Sequence, residues 1–133
     1  MADIQGVKRK IAQADEIADI PIVDEAGEPY LGADGKPSTI GVLGQDSQTF
    51  KRALEDHSRR VAKLSRAEQH KVDWRRATAV CAVQRWSGWE DGTTPLPPTP
   101  ENVDALLRAL HILEQVEAGV KGHAGFFGTR SPS

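Results

Sequence analysis

The chain has one cysteine, one methionine and one tyrosine in 133 residues. Cys81 alone cannot close an internal disulfide, so a reducing compartment is expected. No run approaches the roughly 18 apolar residues that a membrane-spanning helix needs. Lys8, Arg9 and Lys10 are not followed by an apolar block, so no signal peptide is expected. A dominant charge sign is missing too: the formal net charge is -2, which argues against a wholesale nucleic-acid or membrane binder. The sequence has no Gly-rich phosphate loop and no nucleophile with an evident base. Its histidines, at 57, 70, 111 and 123, share no metal-ligand spacing. No catalytic residue, cofactor or metal is expected, and the chain reads as a binder rather than an enzyme.

What is present reads as one α+β domain. The opening "ADIQGVKRKIAQADEIAD" is polar with weak periodicity, so residues 1–18 are a tail or a short helix. The domain spans 19–122, with a β segment at 19–45 and a helical segment at 46–122. In the β segment Ile20, Ile22, Ile40 and Val42 flank turns at "EAGE" and "ADGKP", which predicts two or three short antiparallel strands. A lone hairpin is marginal in water, so this one must pack on helices or on another chain. Residues 123–133 read as a flexible C-terminal tail carrying Phe126 and Phe127, a sticky pair seeking a groove.

Three helices are expected, near 47–63, 66–85 and 100–120. Asp46 or Ser47 caps the first, in which Phe50, Ala53, Leu54, His57, Val61 and Leu64 share a face. His57 reads as an edge or hydrogen-bonded core histidine. Ser65 and Glu68 form a capping box for the second helix, in which Cys81 is a small core hydrophobe. Thr99-Pro100-Glu101 starts the third with a cap, a first-turn proline and an acid near the positive dipole end. Val103, Leu106, Leu107, Leu110, Leu113, Val116 and Val120 make its apolar stripe.

Between the second and third helices lies "WSGWEDGTTPLPP". Its prolines fix φ and donate no hydrogen bond, so this strap is not expected to form a ladder. Trp86 is expected in the core, wedged between the 66–85 and 100–120 helices, with Trp89 covering the strap near Leu96 and Pro97. Charge is uneven as well: residues 1–46 hold 9 acids against 4 bases, and residues 47–76 hold 9 bases against 4 acids.

The order of these parts resembles the tail assembly chaperone family of long-tailed bacteriophages and prophages. The resemblance runs over about residues 19–127. It rests on the "DGKP" turn, the "GQDS" helix start, "WSGWEDG", the "TPENV" helix start and the "ILEQVEAGV" ending, and is best from Val83 to Phe127. It implies a protein that coats the tape-measure protein and helps recruit tail-tube subunits. Such a protein works in the host bacterial cytoplasm and is absent from the mature virion; self-association is left open. Docking would be by an amphipathic helix in an apolar groove, expected at Phe50, Leu54, Leu106, Leu110 and Leu113, with Trp89, Phe126 and Phe127 as further contacts. Two alternatives are a tail or head-tail joining protein retained in the virion, and a small nucleic-acid binder using basic segment 47–76.

Overall fold

The structure, a computed structural model, describes residues 3–123. In chain order it contains α1 (Ile4–Gln13), β1 (Ala18–Pro21), β2 (Thr39–Val42), α2 (Gln48–Ala62), α3 (Arg66–Gln69) and α4 (Trp74–Ala82). There follow β3 (Val83–Ser87), β4 (Glu90–Asp91), β5 (Thr94–Pro95), α5 (Pro100–Leu107) and α6 (Leu110–Lys121). This is an α+β fold. Among the described residues no helix is long and apolar enough to cross a membrane.

Strands β1, β2 and β3 make an antiparallel sheet with β2 in the middle. The loop between β1 and β2 makes two tight reversals, with Gly27 and Gly35 at positive φ. It is tied to α6 by Gln115, whose side-chain amide donates to the Val23 carbonyl and accepts from the Val23 N–H. The helices cover one face of the sheet. Ile20, Ile40, Val42, Val103, Leu107, Ile112, Val116 and Val120 form the shared core. Helix α6 comes so close that a Cβ at Gly119 would lie 1.8 Å from Ile20 Cδ1. Any larger residue there would force the Ile20 side chain, or α6 itself, to shift.

Capping follows the side chains. The Ser47 hydroxyl donates to Asp15 at 2.5 Å and accepts from the Phe50 N–H at 3.1 Å, so Ser47 rather than Asp46 caps α2. Ser65 and Thr99 cap α3 and α5. Asp3 caps α1, none of whose residues is buried.

The expected second and third helices are each divided. The 66–85 segment stops after one turn, because Asp73 takes an extended conformation and accepts from the Arg76 N–H, restarting the chain as α4. Helix α4 then ends at Ala82, and residues 83–87 leave it to pair with the open edge of β2. The 100–120 segment breaks at Arg108-Ala109, and α6 starts there with no side-chain cap. The break lets α5 and α6 press different faces into one core. The proline strap also departs from expectation, since Thr94–Pro95 pairs with Glu90–Asp91 as a minimal hairpin. Pro95 cannot donate, but the Leu96 N–H beyond it reaches the Trp89 carbonyl at 2.9 Å. His123, assigned to the tail by sequence, is buried, and its Nε2–H donates to the Glu16 carbonyl. Phe126 and Phe127 lie outside the described residues.

Candidate docking grooves

Helix α4 is a ridge between two apolar grooves. Its consecutive arginines brace it on both sides. Arg75 forks onto Glu117 of α6 at 2.8 and 2.6 Å. Arg76 reaches Asp104 of α5 at 2.7 Å and Asp73 at 3.0 Å. Bidentate geometry of this kind fixes orientation as well as distance. The hydrogen bonds from Arg75 hold the Glu117 carboxyl below its ordinary value. These arginines, with Arg59 on Asp56, are committed to carboxylates inside the chain, and so offer less to phosphates than the sequence count suggests.

The first groove, between α2, α4 and α6, has a volume of about 410 Å³. Phe50, Ala79 and Val120 form its apolar floor, and Gln45, Thr78, the Arg75–Glu117 pair and Lys121 edge it. Trp74 stands at its mouth, 44% exposed. Trp74 is the first residue of α4 and projects at the helix end. His57 of α2 holds the indole edge-on, with centroids 5.3 Å apart and planes at 83°. The Nε2 of His57 is buried with no hydrogen-bond partner, so the edge assignment fits and the hydrogen-bonded one does not.

The second groove, between α2, α4 and α5, has a volume of about 510 Å³. Ala53, Ala77, Val80, Cys81 and Pro100 make its floor. Asp56, Glu101 and Asp104 stand at the rim against one base, Arg60. Burial pushes the Cys81 thiol up, which keeps it a neutral hydrophobe at neutral pH.

The residues expected to form one docking edge do not line a common groove: four of them belong to the core or pack against it. Phe50 is buried but floors the first groove. Leu113 is buried in the core, where a partner cannot reach it. Leu54 and Leu106 are half-buried against the core and line neither groove. Leu110 is 54% exposed, because the break at Arg108-Ala109 makes it the first residue of α6.

The two tryptophans hold the strap differently from the expectation. Trp86 sits on β3, half-buried, and its indole N–H donates to the Leu96 carbonyl at 2.8 Å. Trp89 lies against Tyr30, with centroids 5.5 Å apart, and its N–H donates to the Thr39 carbonyl at 3.0 Å. Trp86, not Trp89, therefore carries the side-chain tie to the strap, and neither is wedged between the two long helices once expected. The pair is structural in its hydrogen bonding. Gly88, at φ +81°, packs on Ser38, whose hydroxyl donates to the Gly88 carbonyl at 2.6 Å. Only a residue without a side chain fits that reversal.

Among the described residues no group of three or more His, Cys, Asp or Glu is placed to hold a metal ion. No protein-family model matches the chain, and no curated protein or solved structure matches it significantly.

Proposed function

We propose that this protein is a tail assembly chaperone of a long-tailed phage or prophage. It holds an amphipathic helix of the tape-measure protein in the Trp74 groove, helps recruit tail-tube subunits, and leaves before the particle is complete. It binds and does not catalyse. The sequence resemblance supports the family, and the groove supports a site of suitable shape. The observation that carries the reading is the exposed Trp74 indole over an apolar floor. Tryptophan is among the residues most enriched at binding hot spots, and an apolar groove edged by charges suits one face of a helix. A site this small gives modest affinity, as release during assembly requires.

Calorimetry of the full chain with overlapping tape-measure peptides tests this. Peptides with apolar residues at i, i+3, i+4 and i+7 should bind, and Trp74→Ala should weaken them by about tenfold or more, which is about 1.4 kcal/mol. No binding across the full set, or binding indifferent to Trp74, overturns the proposal. So does finding the protein in purified particles, which would make it a structural tail or head-tail joining protein.

A further inference from the structure

Helix α1 presents an apolar stripe that stands exposed among the described residues. Ile4, Val7 and Ile11 lie at i, i+3 and i+7 on one face, and they are 64%, 50% and 37% exposed. A ten-residue helix is below the roughly 12–15 residues at which an isolated helix becomes even marginal in water, so this face needs a surface to lie on. The chain immediately after it is anchored: the Ala14 carbonyl accepts from the Gly44 N–H at 2.9 Å, and Asp15 accepts from Ser47. No α1 residue lines either groove of its own chain.

Charge selects between the grooves. Residues 4–13 carry Lys8, Arg9 and Lys10 and no acid. The first groove is edged by the closed Arg75–Glu117 pair and by Lys121, which do not attract a basic helix. The second has three carboxylates at its rim against Arg60. Asp56 and Asp104 already engage Arg59 and Arg76, whereas Glu101 makes no ion pair among the described residues. Length agrees as well. Ala53, His57 and Arg60 line that groove over two turns of α2, about 10 Å, which is also the span from Ile4 to Ile11.

We propose that α1 of one copy docks in the second groove of another copy, with Ile4, Val7 and Ile11 on the Ala53–Ala77–Val80 floor and its bases at the Glu101 rim. Reciprocal exchange closes a two-fold dimer. The contact uses the groove that the tape-measure reading leaves empty, so the two proposals stand or fall separately.

Sedimentation of the full chain from about 10 µM to about 1 mM covers the affinity such a small contact allows. Self-association should rise over this range, and Val7→Glu should abolish it without changing the thermal melt, since Val7 is 50% exposed on a helix with no buried residue. Reversing the helix charges (Lys8→Glu with Arg9→Glu) or the rim charges (Asp56→Lys with Glu101→Lys) should each weaken association about tenfold. Mixing the two reversed variants should restore it, because each then offers the other a complementary surface. A monomer at every concentration overturns the proposal, whether exchange places α1 on its own chain or leaves it bare. So does association that survives Val7→Glu, failure of the mixture to recover, or α1-dependent binding to anionic vesicles in place of self-association.

Discussion

Arg85 grips Asp19 across the bare middle of the sheet. The guanidinium reaches the two carboxylate oxygens at 2.9 and 2.6 Å, passing over Gly41, to which both residues are registered on neighbouring strands. A Cβ on Gly41 would lie 2.8 Å from Arg85 Cγ and from Asp19 Oδ1, and 2.7 Å from Ile17. The fork therefore requires glycine on β2. Gly41→Ala should destabilise the fold by about 1–3 kcal/mol, the usual cost of overpacking, read as a lower urea midpoint with an unchanged slope. An unchanged midpoint would show that the fork is not seated as described.

The same pair sets a pH dependence. Hydrogen bonds from Arg85, helped by its charge and opposed by partial burial, hold the Asp19 carboxyl below its ordinary value. Asp15 and Glu117 are lowered too, by hydrogen bonds from Ser47 and from Arg75. A lowered folded pKa means that the unfolded chain binds more protons in acid, so stability is fully present above the unfolded value and is lost as pH falls through the folded one. The melting temperature should be level from pH 7 to 5 and drop below about pH 4, the ordinary range of unfolded carboxylates. Asp19→Asn should melt lower than the parent at pH 7 and converge with it near pH 2. The gap will be small, because both side chains remain partly in water. A gap that persists or widens in acid would mean that the aspartate contributes through something other than its charge.

Trp86 and Trp89 can be separated by removing only their N–H groups. Trp86→Phe keeps a ring on β3 but leaves the Leu96 carbonyl without its donor; Trp89→Phe does the same to Thr39. Each should cost about 0.5–1.5 kcal/mol. The difference lies in where the loss falls. Trp86→Phe should speed amide exchange at Leu96 and leave the β1–β2 amides protected. Trp89→Phe should loosen the Tyr30 loop, whose ring packs on that indole and whose hydroxyl meets His111 Nε2 at 2.6 Å. Equal exchange profiles in the two variants would contradict this division of roles.

Local chemistry was legible in the residues, and long-range geometry was not. Ser47, Ser65 and Thr99 announce helix starts because a short oxygen-bearing side chain satisfies an orphan N–H wherever it stands. Glycines 27 and 35 announce turns for an equally local reason. Asp73 carried the same capping signal, but the apolar run beyond it read as a continuation of the preceding helix. Nothing around Val83 says that α4 must yield to a strand. That outcome depends on the unpaired edge of β2, some forty residues earlier in the chain. Ala109 has no capping side chain, so the α5–α6 break left no mark either. Each missed break put a large side chain at a helix start: Leu110 stands exposed as the first residue of α6, and Trp74, first in α4, stands at the mouth of a groove. The candidate site was therefore hidden for the same reason as β3.

His57 and Trp74 allow stability and binding to be moved in opposite directions. His57 Nε2 is buried without a hydrogen-bond partner, a kind of group that costs about 1–3 kcal/mol to keep. The ring's other contribution is its T-shaped contact with the Trp74 indole, worth about 0.5–1.5 kcal/mol in aromatic pairs. Phenylalanine retains that geometry and carries no nitrogen. His57→Phe should thus stabilise the fold by about 1 kcal/mol, a rise of a few degrees in Tm, while leaving Trp74 in place and tape-measure peptide binding intact. Trp74→Ala should do the reverse: an indole already 44% exposed takes little from the core when removed, yet the groove loses its anchor. Thermal melts and calorimetry on the two variants check both halves. If His57→Phe melts below the parent, the imidazole nitrogen is engaged after all. If it melts higher but binding weakens as much as in Trp74→Ala, the histidine itself is part of the docking surface.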